Sequence, residues 1–149
     1  MKPEETVDFH IRWAWAKISR YYNAAASPFG GSMSIGYVLL NVDKEGTPST
    51  KLGPKMGMES RSLTRILNNL EEEGLIIRIQ DEEDKRKMNV FLTEKGKLMR
   101  EESKKIVLDF NQLMTDTLGK KELNQFLQTM EKLNKHIDHQ LVELQSEKN

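Results

Sequence analysis

Residues 60–93 run Ser60-Arg61-Ser62-Leu63-Thr64-Arg65-Ile66-Leu67-Asn68-Asn69-Leu70-Glu71-Glu72-Glu73-Gly74-Leu75-Ile76-Ile77-Arg78-Ile79-Gln80, then Asp81-Glu82-Glu83-Asp84-Lys85-Arg86-Lys87, then Met88-Asn89-Val90-Phe91-Leu92-Thr93. Inside this stretch the hydrophobic period drops from about 3.6 to about 2. Leu63, Ile66, Leu67 and Leu70 share one face of a helix starting near Glu59 or Ser60, with Arg61, Thr64, Arg65 and Asn68 on the other face. Gly74 is placed to end that helix. Leu75, Ile77 and Ile79 then alternate with Ile76, Arg78 and Gln80, and Met88, Val90 and Leu92 alternate with Asn89, Phe91 and Thr93. Two alternating runs around a charged tip form a β-hairpin.

Upstream, Thr47-Pro48 reads as an N-cap followed by proline in the first helical turn. The short helix this predicts, roughly 48–56, is anchored by Leu52 and Met56 and stopped by Gly57. Two short helices joined through a glycine turn form a helix-turn-helix, and the hairpin that follows makes it a winged helix. Before it, a helix over about 33–42 carries Ile35, Val38, Leu39 and Val42 on one face, with Ser32 or Ser34 as its cap and Gly46 at its end. Ser27-Pro28 and Gly30-Gly31 separate it from a first helix over about 5–26, whose two apolar stripes need two neighbours.

Thr93 caps a long C-terminal segment, with Glu94 in its first turn. Met99, Ile106 and Leu113 recur every seven residues, and Gly119 marks a break. Leu123, Met130, Ile137 and Leu144 resume the spacing, interleaved by Phe126, Leu127, Leu133 and Leu141, before a frayed polar tail at 146–149. Such a seam either packs on the preceding helix or meets a second subunit. The fold class expected is α+β and mostly α: a winged helix-turn-helix over 32–93, flanked by a helical dimerisation region at 5–31 and 94–145. The candidate dimer residues are Phe9, Trp13, Leu113, Leu123, Phe126, Met130, Leu133, Ile137 and Leu141.

Composition narrows the function. The chain has 149 residues, no cysteine, and 23 basic against 23 acidic side chains. A disulfide framework, a thiolate zinc site and thiol redox sensing are excluded. The polar N-terminus lacks a signal-peptide core and no apolar run is long enough to span a membrane, so a cytoplasmic protein without a membrane partner is expected. Charge is uneven despite the zero sum. Between Ser49 and Asn69, Lys51, Lys55, Arg61 and Arg65 face only Glu59, a local excess of three positive charges.

Arginine and asparagine reach base edges and hydroxyls reach phosphates, so Ser60, Arg61, Ser62, Thr64, Arg65, Asn68 and Asn69 are candidate contacts to double-stranded DNA. Thr50 and Lys51 on the first helix of the motif are further candidates. At the wing tip, Lys85, Arg86 and Lys87 can enter a minor groove or meet phosphate. The neighbouring acids would repel phosphate, which is resolved if Asp84 turns back to hold Arg86 or the loop backbone.

Asp84-Lys85-Arg86-Lys87-Met88-Asn89-Val90-Phe91-Leu92-Thr93 fits the wing pattern D-x-R-x-x-x-V-x-L-T, and residues 63–76 resemble the recognition helix of the same family. The chain resembles the MarR-family transcriptional regulators over about 7–144. The resemblance implies a homodimer with interlocked terminal helices and two winged-helix lobes on pseudo-palindromic DNA. It implies Arg86 in the minor groove, Ser62, Thr64 and Arg65 in or beside the major groove, and Asp84 bracing the wing. It further implies a repressor that releases DNA when a small aromatic or phenolic effector binds. One departure stands out: Gly53-Pro54 occupies positions where the family has helix-favouring residues, and proline there shortens or kinks the helix.

Seven of the ten aromatics lie in the first 37 residues. Rings with a few polar groups suit an aromatic effector, making His10, Trp13, Trp15 and Tyr37 candidates, while the same rings also suit a dimer core. His136 and His139 are three apart but lack a third ligand type, so no metal and no cofactor are expected. No phosphate loop, serine elbow or H-E-x-x-H motif is present, so an enzyme is not expected. The rival reading is a winged helix that binds protein rather than DNA.

Overall fold

The computed structural model describes residues 1–147, so Lys148 and Asn149 of the expected frayed tail lie outside the described residues. The chain divides into two compact units, Met1–Val107 and a second from Leu108 onward. In the first, a 3-10 turn at Pro3–Glu5 leads into α1 (Val7–Ala26). A second 3-10 turn (Ser27–Phe29) and Gly30 precede α2 (Met33–Asn41), which Ser32 caps by accepting the Ile35 N–H at 3.3 Å. Then come β1 (Thr47–Pro48), α3 (Ser49–Met56), α4 (Ser60–Glu72), β2 (Ile76–Gln80), β3 (Met88–Leu92) and α5 (Glu94–Ser146).

The three strands form an antiparallel sheet in the order β1-β3-β2. The core gathers Val38, Leu39 and Val42 from α2 and its end, Leu52 and Met56 from α3, and Leu63, Leu67 and Leu70 from α4, closed by Leu75, Ile76 and Val90. Ile35, Ile66, Leu92 and Met99 pack around it. Since close-packed interiors leave little slack, this one cluster fixes how α4 sits relative to the sheet.

Two sequence expectations are corrected. Thr47-Pro48 is not the start of a helix: the pair forms β1, with Thr47 opposite Val90 and Pro48 opposite Asn89. Thr47 is buried, and its hydroxyl accepts the Asp43 N–H and donates to the Asp43 carboxylate. Gly46 is not the cap of α2 either, which ends at Asn41; its N–H donates to Asp43 O in the turn before β1. On the wing, Ile76 and Val90 lie on the core side, while Ile77 and Ile79 are exposed. The register explains this, because Ile76, Arg78 and Gln80 pair with Leu92, Val90 and Met88 on the face that covers α4.

Pro54 does not stop α3 short. The helix continues to Met56, and the carbonyls of Gly53 and Pro54 take the N–H groups of Met58 and Gly57. Proline removes one donor near the end of a helix only eight residues long, where little of the ladder remains to be broken. α4 ends in a Schellman motif. Leu75 N–H donates to Leu70 O and Gly74 N–H to Glu71 O, with Leu70 and Leu75 both buried behind it.

The end of the wing is bolted to the same place. Thr93 N–H donates to Leu75 O, and the Thr93 hydroxyl donates to Gly74 O while accepting the Gly96 N–H. α5 therefore starts hard against the end of α4. A Cβ at Gly96 would lie 1.9 Å from Leu75 O, which leaves no room for a side chain.

In the second unit, Gly119 (φ 76, ψ 157) breaks the helical geometry, so 120–146 is a helix in its own right. Leu113, Phe126, Leu127, Ile137, Leu141 and Leu144 are exposed, and Leu123, Met130 and Leu133 are half-buried.

Glycine to alanine at an exposed helical position usually stabilises by up to about 1 kcal/mol. Gly96→Ala should instead cost about 1–3 kcal/mol, because the added methyl meets a fixed carbonyl. Urea unfolding of the two proteins checks the sign.

Candidate nucleic-acid interface

The core stripe of α4 turns the other side of the helix to solvent. Ser60, Arg61, Ser62, Thr64, Arg65, Asn68 and Asn69 are all exposed there, as are Thr50 and Lys51 on α3. Arg61, Arg65 and Lys51 have no ion-pair partner among the described residues. Lys55 differs: its ammonium lies 3.0 Å from Asp43 Oδ2, and the pair holds the Asp43 carboxyl below the usual carboxylate range. The Thr64 hydroxyl donates to Ser60 O at 2.8 Å, which leaves its oxygen able to accept. The result is a helix face with free guanidinium, amide and hydroxyl groups, the inventory that meets both phosphates and base edges.

One side chain behind this face leaves no mark in the sequence pattern. Arg78 on β2 lies on the sheet face that covers α4 and donates through Nε to Glu71 Oε2 at 3.0 Å and through Nη2 to Asn68 Oδ1 at 2.9 Å. The guanidinium hydrogen bond holds the Glu71 carboxyl below its ordinary range. The alternation that marked β2 as a strand carries no hint of these partners, which sit seven and ten residues away.

Phe9 and Trp13 lie with ring centroids 6.1 Å apart, and Phe9 meets His10 edge-on at 5.4 Å. His10 Nε2 is 2.7 Å from Glu4 O, tying α1 to the first 3-10 turn. Trp13, Trp15 and Tyr37 are exposed. A cleft of about 540 Å³ is lined by Asp43, Lys44, Phe91, Leu92, Lys97, Arg100 and Glu101; none of the four effector candidates borders it. His139 Nδ1 lies 3.6 Å from Glu143 Oε1 on the last helix. Among the described residues no group of three or more His, Cys, Asp or Glu side chains gathers as metal ligands, and no helix is long and apolar enough to cross a membrane.

The wing tip is built on two aspartates. Asp81 Oδ1 accepts the N–H groups of Glu83 and Asp84, both at 2.9 Å, and Asp81 Oδ2 accepts the Asn89 amide at 3.0 Å. Asp84 Oδ1 accepts both the backbone N–H and the Nε–H of Arg86 at 3.1 Å, and Lys87 Nζ stands 3.9 Å from Oδ2. The Arg86 side chain is nevertheless 91% exposed. Asp84 is the brace expected from the sequence; Asp81 is a second one, marked in the sequence only by its Asx-turn spacing to Glu83 and Asp84.

Backbone N–H groups hold the Asp81 carboxyl below its ordinary value, and the Arg86 guanidinium does the same for Asp84. Both bind protons less readily folded than unfolded. Their contribution is thus present above the unfolded carboxylate pKa and disappears as pH falls through the lower folded values. The amides of Asp84 and Arg86, which donate to these two carboxylates, should show their main titration below the ordinary carboxylate range. An NMR titration checks this; midpoints at the unperturbed aspartate value would show the bonds absent in solution.

Comparison with known proteins places this geometry. A sequence profile of the MarR family matches residues 42–88, from the end of α2 to the start of β3. The chain is 31% identical over 108 residues to the organic hydroperoxide resistance transcriptional regulator of Bacillus subtilis, covering 69% of this chain and 71% of that protein. It is also 31% identical over 93 residues to the HTH-type transcriptional regulator SarZ of Staphylococcus epidermidis, covering 58% of this chain and 63% of SarZ, so this match spans less than two thirds of that relative. A mutant MarR from E. coli solved in complex with operator DNA superposes with a TM-score of 0.76 at 25% identity, over 83% of this chain and 89% of that one. Extending across the winged helix and beyond it, the likeness shows that the chain belongs to the MarR family.

Proposed function

We propose that this protein is a sequence-specific DNA-binding transcriptional regulator, a repressor that acts as a homodimer on a pseudo-palindromic operator. The observation that carries the reading is the exposed face of α4, where Arg61 and Arg65 have no acidic partner, together with an Arg86 that is tethered at Nε yet extends into solvent. Residues 32–93 form the DNA-binding region. α4 enters the major groove through Ser62, Thr64 and Arg65, with Ser60, Arg61, Asn68 and Asn69 alongside, and Thr50 and Lys51 meet the backbone. Lys85, Arg86 and Lys87 reach the minor groove or its phosphates, with Asp84 as the brace. No catalytic role is assigned, in keeping with relatives named as transcription regulators.

Dimerisation falls to 5–31 and 94–145. Exposed Leu113, Phe126, Ile137 and Leu141, with half-buried Leu123, Met130 and Leu133, give the second unit an apolar surface suited to another helix, and Phe9 and Trp13 on α1 are assigned to the interface from the first unit. His10, Trp13, Trp15 and Tyr37 are assigned to a small aromatic or phenolic effector that releases DNA. Exposed Ile77 and Ile79 on the outer wing face favour the rival reading, a protein partner.

Selection of bound duplexes from a random pool should enrich half-sites about 10 bp apart, centre to centre. Affinity for the selected duplex should fall steeply with salt, as counterion release requires, whereas a protein-binding winged helix gives no such slope. Arg86→Ala should weaken binding without altering the melting temperature. Arg65→Ala should cost about 1–3 kcal/mol and relax one base position if it reads a base. Ile137→Asp should shift the sedimentation coefficient from dimer to monomer, and an unchanged coefficient would remove this helix from the interface.

A further inference from the structure

Arg78, Glu71 and Asn68 join the wing to the C-terminal half of α4, and their chemistry dictates how Asn68 can meet a base. Arginine carries five donors and no acceptor. The atom of the Asn68 amide 2.9 Å from Arg78 Nη2 must therefore be the oxygen, not the nitrogen. Glu71 fixes the guanidinium from the other side, taking both Nε and Nη2, so the fork does not rotate away. The Asn68 NH2 group has no partner among the described residues.

A free asparagine reads adenine with both ends of its amide: the nitrogen donates to N7 and the oxygen accepts from N6. Here one oxygen lone pair is taken, and the guanidinium charge weakens what the other can accept while strengthening the N–H2 as donor.

We propose that Arg78 is a specificity-determining residue: by holding the Asn68 oxygen inward, it makes Asn68 a hydrogen-bond donor and turns its base preference from adenine to an acceptor-rich edge. In the major groove that edge is guanine, through N7 and O6, or thymine, through O4. Arg78 itself is a positioning residue. It is partly covered, with its side chain 25% exposed, and acts through Asn68. The inference rests on α4 lying in a DNA groove.

The test is selection of bound duplexes by the full-length protein and by Asn68→Ala, Arg78→Met and Arg78→Lys. In the wild type, the position whose preference Asn68→Ala abolishes should be guanine or thymine. In Arg78→Met, that position should swing towards adenine by about tenfold, the scale of one bidentate contact, with other positions unchanged. Arg78→Lys cannot bridge both partners and should swing it part of the way. A purely structural Arg78 would lower affinity for every duplex alike and leave the preference untouched, and that outcome overturns the proposal. So does an Asn68-dependent position that is adenine in the wild type, or the absence of any such position; both are read without the Arg78 variants, should these fail to fold. If the wild type enriches no duplex, the DNA-reading function fails, and this inference with it. An enriched operator lacking the Asn68 signature sinks this inference alone.

Discussion

The carbonyl of Leu75 is the point on which the arrangement of the lobe depends. The Leu75 N–H closes the Schellman cap of α4, and its oxygen receives the Thr93 N–H at the far end of the wing. Gly96 lies against that oxygen as α5 begins. Three elements, the α4 helix, the hairpin and the helix leaving the lobe, thus converge on a single peptide group. Backbone hydrogen bonds between buried groups are costly to leave unmade. That cost adds to the shared core of Leu67, Leu70, Ile76 and Val90 in keeping the three directions coupled.

Around this junction the lobe separates its charges by use. Glu71, Asp43, Asp81 and Asp84 are each occupied by a named donor and held in the ionised form. Arg61, Arg65 and Lys51 have no such partner among the described residues. A chain of zero net charge can in this way leave cations free on one helix face, because several nearby acids are already engaged by other donors. Surface ion pairs of this kind add little stability, so their value lies in placing groups.

The order helix, helix, hairpin, helix was legible because each element kept one hydrophobic period over its whole length. Leu63, Leu67 and Leu70 announce α4 without help from any neighbour. Local signals misled where two structures share one signature. Thr47-Pro48 satisfies the rule for a helix start, yet a strand partner 43 residues away at Val90 claims Thr47 for the sheet. On β2, apolar residues occupy both faces, so alternation alone cannot name the inner one; the packing of Ile76 under α4 decides it. Asp84 was found because its partner is two residues away. Arg78 was not, because its partners lie on another element and no periodicity records a tertiary contact.

Gly119 gives the second unit a mechanical character. With φ 76 and ψ 157 it occupies a backbone region open essentially to glycine alone. The helix at 120–146 is a rod of about 40 Å at about 1.5 Å per residue. A change of roughly 10° in one Gly119 torsion would sweep its far end by about 7 Å, on the same helical rise. The rod is a pointer on a one-residue pivot, and the heading of its apolar seam is decided by two dihedral angles at its base, far from most of the residues that form the seam.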